Sequence, residues 1–350
     1  MKSFRRTAAV GGATLACALT LGACGTTEVD GPATVADAPV SESCAADTTA
    51  TSTDPVSLVD GVGRTVELDG PAERIAVLEW QEVEDALTLC VTPVAVADPE
   101  GYSTWVSAET LPAGVVDIGS REEPDFDALF AADPDLIVVE AFNADDEIIG
   151  QLEQYDVPVL AALGNDPADP IGNVKSVFSM IAEATGRTER ARQVLDEFDA
   201  HLAQRKQDVA AVDLPTRDFL FFDGWVEGGN LTLRPYIDGS LFAELGMELG
   251  LNPVWDTSVD ESYGTGGLYA DYGLAQTDIE GLVGVGDATL FYSHDDEGGY
   301  VSELEKSDIW RSLPAVKEGR AYEFPLIWGA GGPRSTQQAI DAYADALTGE

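Results

Sequence analysis

Histidine is nearly missing from this chain: His201 and His294 are the only two in 350 residues. A zinc or manganese site built from several imidazoles is therefore excluded. Positive charge is scarce too, with 19 Lys and Arg against 63 Asp and Glu, a formal net charge of −44. A field of that sign repels phosphate backbones and anionic lipid, so nucleic acid is excluded as a partner. No stretch reads G-x-S-x-G, and neither a phosphate loop nor G-x-G-x-x-G occurs despite 35 glycines, which removes the commonest nucleophile and nucleotide signatures. Carboxylates are so numerous that no single pair marks a catalytic dyad. Nothing in this inventory demands an enzyme or a resident cofactor.

What is present begins with a leader. Lys2, Arg5 and Arg6 precede an apolar run from Ala8 to Leu21, and Leu21-Gly22-Ala23-Cys24 follows. This is the pattern of a bacterial lipoprotein: residues 1–23 read as a signal peptide, and the sulfur of Cys24 as the acceptor of a diacylglycerol. The apolar run is too short to span a bilayer, so the expectation is a lipid anchor at the extracytoplasmic face of the cell membrane. Removing the leader leaves 16 basic against 63 acidic residues, a net charge of −47. Residues 24–55 are Thr, Ala, Ser, Asp and Pro with almost no large apolar side chain, a composition that reads as a disordered tether. Cys17 leaves with the leader and Cys24 carries lipid, so Cys44 and Cys90 remain as a candidate disulfide in an oxidising compartment.

The rest of the chain is organised around Thr188 to Val209. Ala191, Val194, Leu195, Phe198 and Leu202 recur at spacings of three and four, while Glu189, Arg192, Glu197, Arg205 and Lys206 face elsewhere. That predicts one helix over 188–210, roughly 30 Å long. Similar sequence flanks it. Arg74 to Trp80 reads as a strand, Val83 to Leu89 as a helix and Val94 to Ala97 as a strand; Phe219 to Phe222, Ser240 to Leu249 and Pro253 to Trp255 repeat the order. The expected fold is α/β: an N-terminal lobe over 56–187 and a C-terminal lobe over 211–350, each with a central parallel sheet, joined by one long interlobe helix. In such sheets ligands bind beyond the carboxyl ends of the strands.

The loops leaving those strands hold Trp80, Tyr102, Trp105, Phe142, Trp225, Tyr236, Tyr263, Tyr272 and Trp328, together with Arg121, Arg234 and Arg334. Aromatic walls with a few guanidinium groups suit a bulky, partly apolar ligand carrying polarised oxygens. His201 reads as structural and His294 as part of a solvated loop.

Ile75-Ala-Val-Leu-Glu-Trp80 through Val83-Glu84, Tyr102-Ser-Thr-Trp-Val106, Leu111-Pro112 and Val116-Asp-Ile-Gly119 through Arg121-Glu-Glu-Pro-Asp125 resemble the ferric-hydroxamate siderophore binding proteins of ABC importers. The resemblance continues through Gly239 to Glu244, Tyr272-Gly273, Asp308-Ile-Trp310, Val316 to Arg320 and Trp328. It implies two lobes on a single long helix with a shallow cleft between them. It implies that Arg121 donates to hydroxamate oxygens and that Trp80, Phe142, Tyr272 and Trp328 line the pocket. Phe142 stands where the family usually has tyrosine, and Tyr272 where it has tryptophan. Arg234 and Arg334 are additional, and point toward an anionic, carboxylate-type siderophore. Glu84 and Glu244 match the glutamates that dock on an ABC permease dimer, one from each lobe. The expected protein is a monomer that needs no metal ligand of its own, because the siderophore already saturates its iron. Two alternatives stay open: a haem or corrinoid binder of the same fold, with Tyr236, Tyr263, Tyr272 or His294 as axial candidates, and an extracellular enzyme or adhesion module.

Overall fold

The computed structural model describes residues 44–266, 270–294 and 299–349. The leader, Cys24 and the tether before residue 44 lie outside the described residues. Lobe one opens with a hairpin, β1 (Val56–Val59) and β2 (Thr65–Leu68). It continues through β3 (Ile75–Val77), α1 (Trp80–Thr88), β4 (Ala95–Val96), α2 (Pro99–Trp105), β5 (Val116–Asp117), α3 (Phe126–Ala131), β6 (Leu136–Ala141), α4 (Glu147–Leu152) and β7 (Val159–Leu163). Two helices follow, α5 (Pro170–Ala184) and α6 (Thr188–Ala210). Lobe two holds β8 (Asp218–Glu227), β9 (Asn230–Tyr236), α7 (Leu241–Glu248), β10 (Asn252–Pro253), α8 (Thr257–Tyr263), α9 (Gly281–Gly284) and β11 (Thr289–Ser293). It ends with α10 (Tyr300–Lys306), α11 (Asp308–Ser312), α12 (Pro314–Lys317), β12 (Ala321–Phe324) and α13 (Pro333–Thr348).

Lobe one's sheet runs β5-β4-β3-β6-β7 with every pair parallel. Both faces are covered, and the apolar strands divide by alternate residues. Ile75, Val77, Leu136 and Val138 pack on the face of α1 and α5, while Ala76, Leu78, Ile137 and Val139 pack on the face of Leu129 and Leu152. Lobe two repeats the arrangement with β10-β8-β11-β12 parallel. Phe219 and Phe221 point to one core, Leu220 and Phe222 to the other. One strand departs from the repeat: β9 returns antiparallel along β8 through Gly228 and Gly229, both at positive φ, as a tight hairpin requires. Arg234, expected in a loop, therefore sits in a strand.

The long helix spans Thr188–Ala210, and it does not stand alone. α5 begins against the core of lobe two with Ile171 and Val174 and ends in that of lobe one with Val177, Phe178 and Ile181. α6 returns the opposite way, from Ala191 and Val194 to Phe198 and Val209. Gly186, at φ +70°, makes the turn between them; a Cβ there would lie 2.8 Å from the carbonyl oxygen of Ser52. α13 packs along α6, with His201 bonded to Asp341 at 2.8 Å, Arg205 paired with Asp341 and Asp345, and Arg334 with Glu197. The apolar stripe of one exposed helix cannot bury itself, so three helices share the crossing.

Two expectations are corrected here. Glu84, expected on the surface as a docking residue, is fully buried. Its Oε1 accepts from the backbone N–H groups of Arg334 (3.0 Å) and Ser335 (2.9 Å), and its Oε2 from the Ser335 hydroxyl (2.5 Å). The residue preceding α13 is Gly332, which has no side chain to cap the helix; a lobe-one carboxylate caps it instead. Gly332 makes the approach possible, since a Cβ there would fall 2.2 Å from Asp85 Oδ1. Second, residues 44–52, read as tether, are docked on lobe one. Cys44 is bonded to Cys90, Arg187 pairs with Asp47, and Ser52 N–H donates to Gly186 O at 2.8 Å.

Replacing Glu84 with Ala leaves three donors at a buried helix end without an acceptor. A loss of about 2–3 kcal/mol is expected, read as a lower urea midpoint. Replacing Cys44 with Ser opens a loop of sequence separation 46; the chain-entropy relation sets the loss at up to about 4 kcal/mol, measured by the same titration with and without reductant.

Candidate functional site

The strands of both sheets point their carboxyl ends into one cavity of about 340 Å³ between the lobes. Lobe one contributes Glu79 after β3, Arg121 after β5, Glu140 from β6 and Asn165 after β7; lobe two contributes Trp225, Arg234, Tyr236, Tyr272 and Trp328.

Each lobe presents one arginine held in the same manner. In lobe one, β3 ends before Glu79 and Trp80. The Glu79 side chain caps α1 by accepting from Trp80 N–H at 2.8 Å, which starts the helix at Trp80, inside the segment expected as strand. Arg121 Nη1 donates to both oxygens of Glu79, at 2.7 and 2.8 Å, and the guanidinium lies 3.8 Å above the Trp80 ring. In lobe two the equivalent strand β8 carries Asp223 and Trp225. Asp223 is directly opposite Arg234 on β9, and a bidentate pair joins them at 2.9 and 2.5 Å. Tyr236 donates to the same carboxylate at 3.1 Å, and Arg234 lies 5.9 Å from the Trp225 ring.

Of the residues singled out from sequence, Arg121, Trp225, Arg234, Tyr236, Tyr272 and Trp328 line the cavity together. Tyr102, Trp105 and Tyr263 do not line it, and neither do three of the ligand-binding candidates. Trp80 is 3% exposed, donates its indole N–H to Asp98 O, and meets Trp328 edge-on at 4.8 Å. It backs the guanidinium of Arg121. Phe142 is exposed and edge-on to Tyr272 at 5.2 Å. Arg334 bonds Glu197 at 3.1 Å and Gln337 at 2.9 Å, facing α6 and away from the cleft. The reason is positional: Arg334 lies in the first turn of α13, which Glu84 holds against lobe one. Glu244 is half-buried on α7. Sequence reasoning missed Glu79, Glu140, Asp223 and Asn165. The usable signal was the repeat itself, which places Glu79 and Asp223 at equivalent positions, four residues after Ile75 and Phe219.

Among the described residues, three side-chain donors of this wall are buried without a hydrogen-bond partner: Gln81 Nε2, Arg121 Nε and Trp328 Nε1. Other bonds close the cleft's ends. The Tyr272 hydroxyl donates to Glu140 at 2.5 Å, and Asn165 Nδ2 to Gly239 O and Asp271 O at 3.0 and 2.7 Å. Burial raises the carboxyls beneath: Glu79 despite Arg121, and Glu82 and Asp85 well above the usual range. Burial, and then the charge of Glu79, push Glu140 up to about 7. Among the described residues no cluster of His, Cys, Asp and Glu has the arrangement of a metal site, and no helix is long and apolar enough to cross a membrane.

Two α/β lobes around a ligand-sized cavity are an architecture that this chain shares with known binding proteins. The model of a periplasmic binding protein family matches residues 75–248. The chain is similar to the iron(3+)-hydroxamate-binding protein FhuD of Escherichia coli, 24% identical over 278 residues that cover 79% of this chain and 88% of that one. In fold it is similar to the siderophore binding protein FhuD of Vibrio cholerae bound to Fe3+-Desferal, with TM-score 0.64, 22% identity, and 79% and 98% of the two chains covered. SirA of Staphylococcus aureus, complexed with staphyloferrin B, aligns with TM-score 0.61 and 19% identity over 83% of this chain and 98% of that one. Several relatives and structural neighbours are thus ferric siderophore-binding proteins, and one neighbour of the same fold is a molybdate-binding protein.

A folded carboxyl raised to about 7 keeps a proton that the unfolded chain releases near 4.5. Its contribution is therefore complete below that value and is lost as pH climbs toward about 7. Thermal midpoints are expected to fall between pH 5 and 7.5, and Glu140→Gln to flatten the slope.

Proposed function

We propose that this chain captures a ferric siderophore in the interlobe cavity and delivers it to an ABC permease dimer. It does so as a monomer anchored at the extracytoplasmic face through lipid on Cys24, and it is not an enzyme. The observation that carries the reading is the matched pair of arginines, one on each lobe, facing a shared cavity walled by Trp225, Tyr236, Tyr272 and Trp328. A ferric complex offers metal-bound oxygens on a largely apolar body. The unpartnered Arg121 Nε and Trp328 Nε1 suit the oxygens, and the rings suit the body. The iron travels as part of the cargo, so the protein's task is shape and donation.

The haem alternative has few axial groups to draw on: the Tyr272 hydroxyl is engaged by Glu140 and that of Tyr236 by Asp223, while Tyr263 and His294 do not line the cavity. The three-helix crossing and the bonds from Asn165 and Tyr272 oppose wide opening, so binding closes the lobes only slightly. Glu244 on α7 remains the docking residue of lobe two.

Quenching of tryptophan fluorescence by a panel of ferric hydroxamate, carboxylate and catecholate complexes tests the reading. Saturable quenching by at least one class is expected, and Arg121→Ala should weaken it about 10- to 100-fold, the worth of one or two charge-assisted hydrogen bonds. Absence of quenching by every complex, or an Arg121→Ala variant that binds unchanged, would falsify it.

A further inference from the structure

The charges of the cleft carry the siderophore reading one step further, and the step rests on that reading. Neither arginine is free. Arg234 is held by both oxygens of Asp223, and Arg121 Nη1 by both oxygens of Glu79. Among the described residues, no third arginine and no lysine lines the cavity. Glu140 does line it, with no cation paired to it: Oε1 accepts from the Tyr272 hydroxyl at 2.5 Å. The backbone after β7 has been cleared for this carboxylate, because a Cβ on Gly164 would stand 2.5 Å from Glu140 Cδ. The groups acting on Glu140 are Glu79, Glu82, Asp146, Arg121 and Tyr272. One cation stands among several carboxylates there. Two guanidinium groups are compensated and one carboxylate is left over, so the wall as a whole has no positive excess to offer a polyanion.

We propose that this cleft selects ferric complexes with a neutral or cationic surface, and that Glu140 receives a positively charged group of the ligand. The anionic, carboxylate-type cargo that Arg234 and Arg334 suggested in the sequence is set aside, since the first is neutralised by Asp223 and the second lies outside the cleft. Selection works by exclusion as much as by attraction: a trianion in the cleft meets the charge of Glu140, and the two arginine–carboxylate clamps have no net positive charge to offset it.

The test uses the full chain and three ferric complexes followed by fluorescence quenching. They are ferrioxamine B, a trishydroxamate with an ammonium arm; its neutral N-acetyl derivative; and a trianionic tris-catecholate. At pH 8 the ammonium complex should bind about tenfold more tightly than the acetylated one, and the trianion at least 100-fold more weakly than either. The first ratio should shrink as pH falls below about 7, where Glu140 takes up its proton. In Glu140→Gln the ratio should collapse toward one. The exposed Asp127, changed to Asn on the same lobe, should leave it intact, which separates a local contact from loss of overall charge. A trianion that binds as well as the cation, or a ratio that survives Glu140→Gln, overturns the inference. If all three bind alike, the siderophore reading stands and charge selection fails; if none binds, the siderophore reading itself has failed.

Discussion

The carboxylate of Glu84 holds the two lobes in one register. It closes the amino end of α13, whose own N-cap is a glycine, and it does so from the first helix of the opposite lobe. Because the segment before α13 is pinned there, Trp328 is carried onto Trp80, and Trp80 in turn supports the guanidinium of Arg121. The cavity wall is thus assembled along a chain of contacts that begins with a buried acid bonded to backbone donors. Burying that acid is costly unless its oxygens are occupied, and the helix amino end occupies them.

The same economy governs the binding groups. In a chain with 63 acidic residues, each guanidinium facing the cavity is clamped by a carboxylate of its own lobe, Glu79 just after β3 and Asp223 within β8. The two clamps differ in construction. Glu79 and Arg121 meet through loops after β3 and β5, whereas Asp223 and Arg234 face each other across a hairpin. The halves therefore arrive at the same chemistry with unlike backbones, and β9, which breaks the repeat, is what gives lobe two its arginine.

Much of the fold was legible. The 3.6-residue stripe of 188–210 and the recurrence of strand, helix and strand on both sides describe local periodicities that each segment carries by itself. Arg121, Trp225, Tyr272 and Trp328 could be placed near a cleft because strand ends in parallel sheets converge. Trp80, Phe142 and Arg334 were assigned to the same cleft by the same argument, and each was displaced by a neighbour: Arg121 covers Trp80, Tyr272 meets Phe142, and Glu197 takes Arg334. Proximity to a strand end sets a side chain's neighbourhood, and packing sets its direction.

By itself, the sequence determined the classes of chemistry open to this protein, the two α/β lobes and the long helix between them, because composition and periodicity are properties of short stretches. Only the tertiary structure decided which carboxylates are buried, which arginines are already neutralised, and that α5 and α13 share the crossing with α6. Those facts depend on pairs such as Glu84 with Ser335 and Tyr272 with Glu140, 251 and 132 residues apart. A charge's meaning is fixed by its nearest partner and its distance from water, and neither is a property of position along the chain.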